Sequence, residues 1–341
     1  MKIGIITFHW AINYGAVLQC YALQETLKAL GHDVFVINYK PKRFDNTFWT
    51  FIRYRMFLHP KAYYRDIKKE KKIMLFRNKY LNLTQRYFST KELQEQCYYD
   101  CVISGSDQVL NVSFLRYGEP GGSKAYYLDF CNNKTKRVAY AVSFGAVEYP
   151  QDAIESLKEV VSRFSAISVR ENTGVAIFKA MGRDDVTVVP DPTLLLDKEL
   201  YMRLLKPIKK EKKICLYMLH RRERYVDGLC NIEYITNNGG GIETWLSLIY
   251  SAKGVITNSF HGTIFSILFH VPFLVVLKTM NNVGMNDRFF SMLYRLNLSN
   301  RITTEKCCNF SILDEPIDWN IVDKKLKKYQ KEGFDYLSFL Q

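Results

Sequence analysis

"KIGIITFHWAINYGAVLQCYALQETLKALGHDVFVINY", residues 2–39, is the stretch that decides the fold. An apolar strand runs to Thr7, a polar turn follows through Asn13-Tyr14-Gly15, and a helix from Ala16 to Leu30 stops at Gly31 before a second strand, Val34 to Asn38. Strand, helix and strand in that order make a βαβ unit, and such a unit implies a parallel sheet. The first seven residues carry one charge, a very short apolar run and no small-residue cleavage site, so they read as a strand rather than a signal peptide.

The same grammar continues outward. Cys101-Val102-Ile103 leads into Ser104-Gly105-Ser106-Asp107, Val138–Val142 into Ser143-Phe144-Gly145, and Ala166–Val169 into Arg170-Glu171-Asn172. Each run is short, apolar and β-rich, as strands covered on both faces are. Val186–Val189 ends at Pro190-Asp191-Pro192, where the chain cannot stay regular. A charged linker, Lys206–Lys213, then separates a second set: a strand from Ile214 to Leu219, a helix from Glu243 to Ala252, a strand from Gly254 to Thr257, a helix from Gly262 to Phe269 and a strand from Phe273 to Val276. Ile321, Val322, Leu326 and Tyr329 at helical spacing mark a closing helix within Trp319–Leu340. The expected architecture is α/β, with two Rossmann-like domains facing across a cleft: residues 1–203 with a basic aromatic insertion at 40–80, residues 204–317, and a helix over 318–341 packing back toward the first domain.

Composition bounds the function. The chain of 341 residues is 48% hydrophobic and 14% aromatic, enough for two full cores and without a disorder signature. The longest apolar stretch, Ile264–Leu277, is broken by His270 and Pro272 and falls short of the ~20 residues of a membrane span. A soluble, cytoplasmic protein is expected. Eight cysteines without a CxxC pair fit a reducing compartment, and six scattered histidines without HExxH argue against a zinc site. Net charge is +14, and Lys40–Lys79 alone holds 13 Lys or Arg against three acids, interleaved with Phe44, Trp49, Tyr54 and Tyr64. That mixture suits an anionic membrane surface. It equally suits a helical hairpin whose aromatics pack inward; nucleic acid is not expected, since no recognition motif accompanies the charge.

Ligands of open parallel sheets bind beyond the carboxyl ends of the strands. That rule gathers Asn13, Tyr14, Gly15, Ser106, Asp107, Ser143, Arg170, Asn258, Ser259, His261 and Gly262 into one place. Gly15 and Gly262 at helix starts offer backbone N–H groups to an anion, and the guanidinium forks of Arg170 and Arg288 fit carboxylate or phosphate. A small, strongly anionic ligand is implied. Each residue also has a plainer reading: tight-turn glycines, Asp107 as a helix cap, Arg288 in a surface ion pair, His261 as a structural histidine.

Six motifs in this order, "INYGAVLQCYAL", "ISGSDQVLN", "YAVSFG", "ISVREN", "VPDPTLLLD" and "ITNSFHGTIFSILFHVPF", resemble the polysaccharide pyruvyl transferase family over roughly Lys2–Leu298. The resemblance implies a fold like that of the B-type glycosyltransferases, and transfer of the enolpyruvyl unit of phosphoenolpyruvate onto a sugar, most often as a cyclic ketal. It implies that Arg170 is the phosphoenolpyruvate-binding arginine and His261 the active-site histidine. Relatives often carry an arginine where this chain has Ser259-Phe260, which makes Arg288 the candidate for the second anionic group. The stretch His220–Gly241 is short for the helix, strand and loop usual there. His261 can serve either proton step of ketal formation; Asp107 takes the other, or caps or contacts sugar. No nucleotide or metal is required. The expected acceptor is a galactose-type or other hexose of a surface-polysaccharide (capsule) precursor, and attachment of that precursor to a lipid carrier would place the enzyme peripherally at the inner face of the membrane. Two other functions fit the same residues: a nucleotide-sugar glycosyltransferase, and an inactive carbohydrate- or lipid-binding scaffold, for which Phe260 is the hint.

Overall fold

The computed structural model describes residues 1–41, 44, 58–207, 213–219, 232–234, 240–277, 283–304 and 309–340. β1 (Lys2–Ile6) and β2 (Asp33–Tyr39) flank α1 (Tyr14–Ala29), so the opening βαβ unit is present and its strands pair in parallel, Ile3 opposite Val34. The helix begins two residues before the apolar run, because the Asn13 side chain accepts from the N–H groups of Gly15 and Ala16 and caps it. Buried residues run along α1 from Tyr14 to Leu27, including Gln19 and Gln24. The amide nitrogens of both are bonded: Gln19 Nε2 donates to Thr7 Oγ1 at 2.8 Å, and Gln24 Nε2 to the Tyr80 carbonyl at 2.9 Å. Gly31, at φ +87°, ends the helix in the left-handed region.

Five further strands complete the first sheet: β3 (Leu83–Tyr87), β4 (Cys101–Ser104), β5 (Lys136–Val142), β6 (Ala166–Val169) and β7 (Val186–Val188). Their order, β3-β2-β1-β4-β5-β6-β7, is wholly parallel and reverses direction between β1 and β4. The second sheet is also parallel, in the order β12-β11-β10-β8-β9, built from β8 (Ile214–Tyr217), β9 (Ile232–Tyr234), β10 (Gly254–Thr257), β11 (Phe273–Leu277) and β12 (Ile302–Thr304). Its reversal falls between β8 and β10. The remaining helices are α2 (Pro60–Tyr80), α3 (Thr90–Gln96), α4 (Val112–Tyr117), α5 (Gln151–Ser162), α6 (Asn172–Ala180), α7 (Lys198–Met202), α8 (Ile242–Ser251), α9 (Phe260–Leu268), α10 (Val283–Arg295) and α11 (Trp319–Leu337).

One apolar cluster joins the two sheets. It runs from Val17 and Tyr21 of α1, through Leu194 and Tyr201 of the crossing segment, to Trp245 of α8 and Phe265 of α9. Burial of each such side chain contributes about 1.5–3 kcal/mol. α11 returns to the first sheet: Tyr329 Oη donates to the Val189 carbonyl at 3.3 Å and Gln330 Nε2 to that of Leu194 at 2.6 Å. Gly333 permits this approach, since a Cβ there would lie 2.7 Å from both Leu195 and the Tyr140 hydroxyl.

Most of the linker expected at Lys206–Lys213 and of the stretch His220–Gly241 lies outside the described residues, as do Trp49, Tyr54 and the first arm of the expected basic hairpin. The carboxyl-terminal part of the basic segment is α2.

Candidate active site

The loops after β1, β4, β6 and β7 of the first sheet meet the start of α9, after β10 of the second, and the site is built there. Arg170 stands directly after β6, with its side chain 1% exposed. Three carboxylates surround it. Its Nε donates to Glu171 at 3.2 Å and its Nη1 to Asp191 Oδ2 at 3.3 Å, while Asp107 Oδ1 lies 3.6 Å from Nη2. Burial alone would lower the arginine's pKa, but Glu171, Asp107 and Asp191 outweigh it and hold the guanidinium charged. Nη2 itself is buried without a hydrogen bond.

Asp191 is the hub. Its Oδ1 accepts from the Thr193 N–H at 3.0 Å and the Thr193 hydroxyl at 2.7 Å, and its Oδ2 accepts from Ser106 Oγ at 2.9 Å as well as from Arg170. Nε2 of His261, from the second sheet's α9, lies 3.7 Å from that same Oδ2. Burial pushes the Asp191 carboxyl up, but His261, Arg170 and Thr193 more than reverse this and hold it well below the ordinary aspartate range. Arg170 and His261, far apart in the chain, thus share one carboxylate oxygen. His261 Nε2 is buried and has no hydrogen-bond partner.

Gly15 makes the meeting of the two lobes possible. A Cβ at position 15 would stand 2.0 Å from His261 Nδ1 and 2.3 Å from its Cγ, so the imidazole rests directly on the α1 backbone. Beside it, Tyr14 stacks on Trp245 with ring centroids 5.3 Å apart and donates its hydroxyl to the Gly240 carbonyl at 2.8 Å. Lys69 of α2 lies 4.1 Å from the centre of the Tyr14 ring, and burial pulls its pKa down to about 8.

Arg288 enters from α10. The preceding residue, Asp287, accepts from the N–H of Thr173 at 2.9 Å and so fixes α10 on the start of α6. The guanidinium of Arg288 lies 5.3 Å from the centre of the Phe260 ring, and that of Arg170 lies 5.4 Å from it. Phe260 is therefore a platform for two cations, next to His261. Burial and then the repulsion of Arg170 pull the Arg288 pKa down to about 10, which leaves it a cation at neutral pH, and its Nε is buried without a partner. The surface ion pair considered for Arg288 does not match this position.

Several expectations are corrected. The N–H of Gly15 is taken by Asn13 Oδ1 at 2.9 Å and that of Gly262 by Ser259 Oγ at 3.2 Å, so neither faces a ligand. Asn13 and Ser259 are helix caps, and His261 lies in the first turn of α9 rather than in a loop. Gly262 serves packing, since a Cβ there would lie 2.8 Å from Thr257 Oγ1. Asn258 holds the end of β8 instead of a substrate, accepting from the Leu219 N–H at 2.6 Å and donating to its carbonyl at 3.0 Å. Asp107 caps no helix: the next one, α4, is capped by Asn111, and Asp107, at φ +86°, binds its neighbour's N–H and faces Arg170. Ser143 bonds the Gly145 N–H at 3.1 Å and the Glu171 carboxyl, which burial pushes up. Asp191 and Glu171 are the site residues that sequence reasoning passes over. Among the described residues no group of three His, Cys, Asp or Glu is placed to hold a metal, and no helix is long and apolar enough to cross a membrane.

Two parallel sheets with a returning carboxyl-terminal helix and a polar site at their meeting edges define a B-type glycosyltransferase-like fold. A solved structure shares it. The UDP complex of UGT89C1 from Arabidopsis thaliana matches with a TM-score of 0.51 at 7% identity, over 99% of this chain and 98% of that one. A putative UDP-N-acetylglucosamine 2-epimerase from Listeria monocytogenes matches with a TM-score of 0.48 at 10% identity, over 100% and 94%. At 7% identity the first likeness concerns the fold alone. No curated protein matches the sequence. The family model of polysaccharide pyruvyl transferase matches residues 13–277, a span that contains Arg170, Asp191 and His261. The chain belongs to the polysaccharide pyruvyl transferase family and is a transferase enzyme.

Proposed function

We propose that the protein transfers the enolpyruvyl group of phosphoenolpyruvate to a hexose of galactose type in a surface-polysaccharide precursor, forming a cyclic pyruvate ketal. One observation carries this: three buried nitrogens without a hydrogen bond, Arg170 Nη2, Arg288 Nε and His261 Nε2, belong to side chains grouped around Phe260 and Asp191, the first and last of them at ion-pair distance from Asp107 and Asp191. Buried polar nitrogens without hydrogen bonds are costly, and a small ligand with two separate anionic groups would satisfy them. Arg170 takes one anionic group and Arg288 the other, each charge-assisted contact contributing about 1.5–3 kcal/mol.

The chemistry then needs two proton movements. The methylene carbon of the enolpyruvyl group gains a proton, positive charge develops at the adjacent carbon, and a sugar hydroxyl loses its proton as its oxygen bonds there. Phosphate leaves, carrying the proton of the second hydroxyl as that oxygen closes the ring. His261, set against Asp191, serves one proton step, and Asp107, 19% exposed in its side chain, takes the other or contacts the sugar. No resident cofactor has a part in this scheme. The acceptor is proposed to be lipid-carrier-linked and met at the inner face of the cytoplasmic membrane. Incubation with phosphoenolpyruvate and candidate glycosides should release phosphate. Consumption of a nucleotide sugar instead would favour a glycosyltransferase on the same fold, and turnover of neither would favour a binding scaffold.

A further inference from the structure

α2 has two faces of different character. Its inner face carries Ile73 and Phe76 into the core, sets Lys69 on Tyr14, and holds Arg77, which donates to Glu70 at 2.9 Å and to the carbonyl of Ala11. Its outer face is unlike an ordinary solvated helix. Tyr64, Ile67, Met74 and Leu75 are 68%, 36%, 44% and 59% exposed, and at 100° per residue they share one arc with the exposed lysines 61, 68 and 71. The two acids of the helix are turned away from that arc: Asp66 lies 3.5 Å from Arg65, and Glu70 pairs with Arg77. Among charged groups the outer arc therefore presents lysines alone, interleaved with aliphatic and aromatic side chains.

We infer that this face of α2 docks the enzyme on an anionic lipid surface. Phosphates of a nucleic acid would pair the lysines but leave Ile67, Met74 and Leu75 in water, whereas the headgroup boundary of a bilayer accepts both kinds of side chain. The helix spans about 30 Å at 1.5 Å per residue, long enough to lie along such a surface. It also borders the active site, since Lys69 touches Tyr14 and the Cβ of Lys72 lies 3.6 Å from a Cβ built at Gly241. Docking through the outer arc places the site beside the lipid headgroups. The docking follows from α2 itself; its use in presenting a lipid-linked acceptor rests on the pyruvyl transfer proposed above.

Flotation of the whole protein with phosphatidylcholine vesicles, with and without about one third phosphatidylglycerol, tests the inference. The protein should float with the anionic vesicles and not with the neutral ones, and added salt should release it. A Lys68→Glu/Lys71→Glu variant should lose at least about tenfold in partitioning, and a Met74→Ser/Leu75→Ser variant should lose binding at unchanged charge. Both variants should keep the melting temperature and the turnover of a water-soluble glycoside, so failure to float is distinguishable from failure of the transfer chemistry. Absence of the wild-type protein from anionic vesicles, equal flotation of all three proteins, or capture by heparin without capture by vesicles would overturn it.

Discussion

At the scale of single residues, the two lobes meet where an imidazole rests on a glycine. Gly15→Ala places a methyl group 2.0 Å from His261 Nδ1. Relief of that overlap requires the ring to move, so the variant should lose about 1–3 kcal/mol of stability in denaturant titrations and at least about tenfold in turnover. Unchanged turnover would show that the ring position has no part in catalysis. His261→Ala removes the ring with little strain and should lower kcat by about 10²–10⁴ while the melting temperature holds. Arg170 is a poorer probe. Its loss leaves Glu171 and Asp191 buried without their cation, and breaking such a cluster costs about 3–5 kcal/mol. Arg170 and His261 are legible in the sequence because each follows an apolar strand and interrupts an ordered motif. Asp191 is not, since its role comes from Ser106, Arg170 and His261, which only the fold brings to it. The available signal is an aspartate locked between Pro190 and Pro192 immediately after a strand, a poor place for an exposed turn residue. The caps at Asn13 and Ser259 were also within reach, because both residue types favour the position just before an apolar helix.

At the scale of elements, the strands and the βαβ order follow from periodicity, whereas the starts of α1 and α9 move by two residues to their capping side chains, Asn13 and Ser259. His9 gives the loop after β1 a measurable property. Its Nδ1 lies 3.2 Å from the Thr7 carbonyl and its Nε2 3.1 Å from Asn38 Oδ1 on β2. Burial, opposed by the Asn38 contact and reinforced by Arg77, lowers its pKa from 6.5 to about 4. The folded state therefore holds the neutral ring, and the unfolded chain binds the proton first. Stability is fully present above pH 6.5 and is lost as pH falls from there toward about 4, by up to roughly 3 kcal/mol. Urea titrations at pH 7 and pH 4.5 should show a larger loss for the wild type than for His9→Gln; equal losses would refute the assignment. The carboxyl-terminal part of the basic segment shows why charge counts mislead: α2 turns Lys69 and Arg77 inward and only part of its charge outward.

At the scale of the molecule, a continuous apolar core ties the sheets together, from Val17 of α1 to Phe265 of α9, and α11 straps them. Lobes joined only by a linker would move and melt separately. These should melt together, as one calorimetric transition whose van't Hoff and calorimetric enthalpies agree; two resolved transitions would contradict the shared core. The architecture was open to inference from alternating elements and reversal rules, but this seam was not, because no local pattern says which helices of separate sheets will touch. The seam has a functional consequence. It brings Arg288 on α10 up to Phe260, beside Arg170.

Equilibrium titration of phosphoenolpyruvate, measured by calorimetry on the wild type and on Arg288→Met, tests that consequence most directly. The wild type should bind and the variant should bind at least about tenfold more weakly, with an equal or higher melting temperature because the burial of that cation and its repulsion by Arg170 outweigh the attraction of Asp107, Glu171 and Asp191. Equal affinity in the two proteins, or no heat of binding in the wild type, would contradict a site formed by two guanidiniums about one phenylalanine ring.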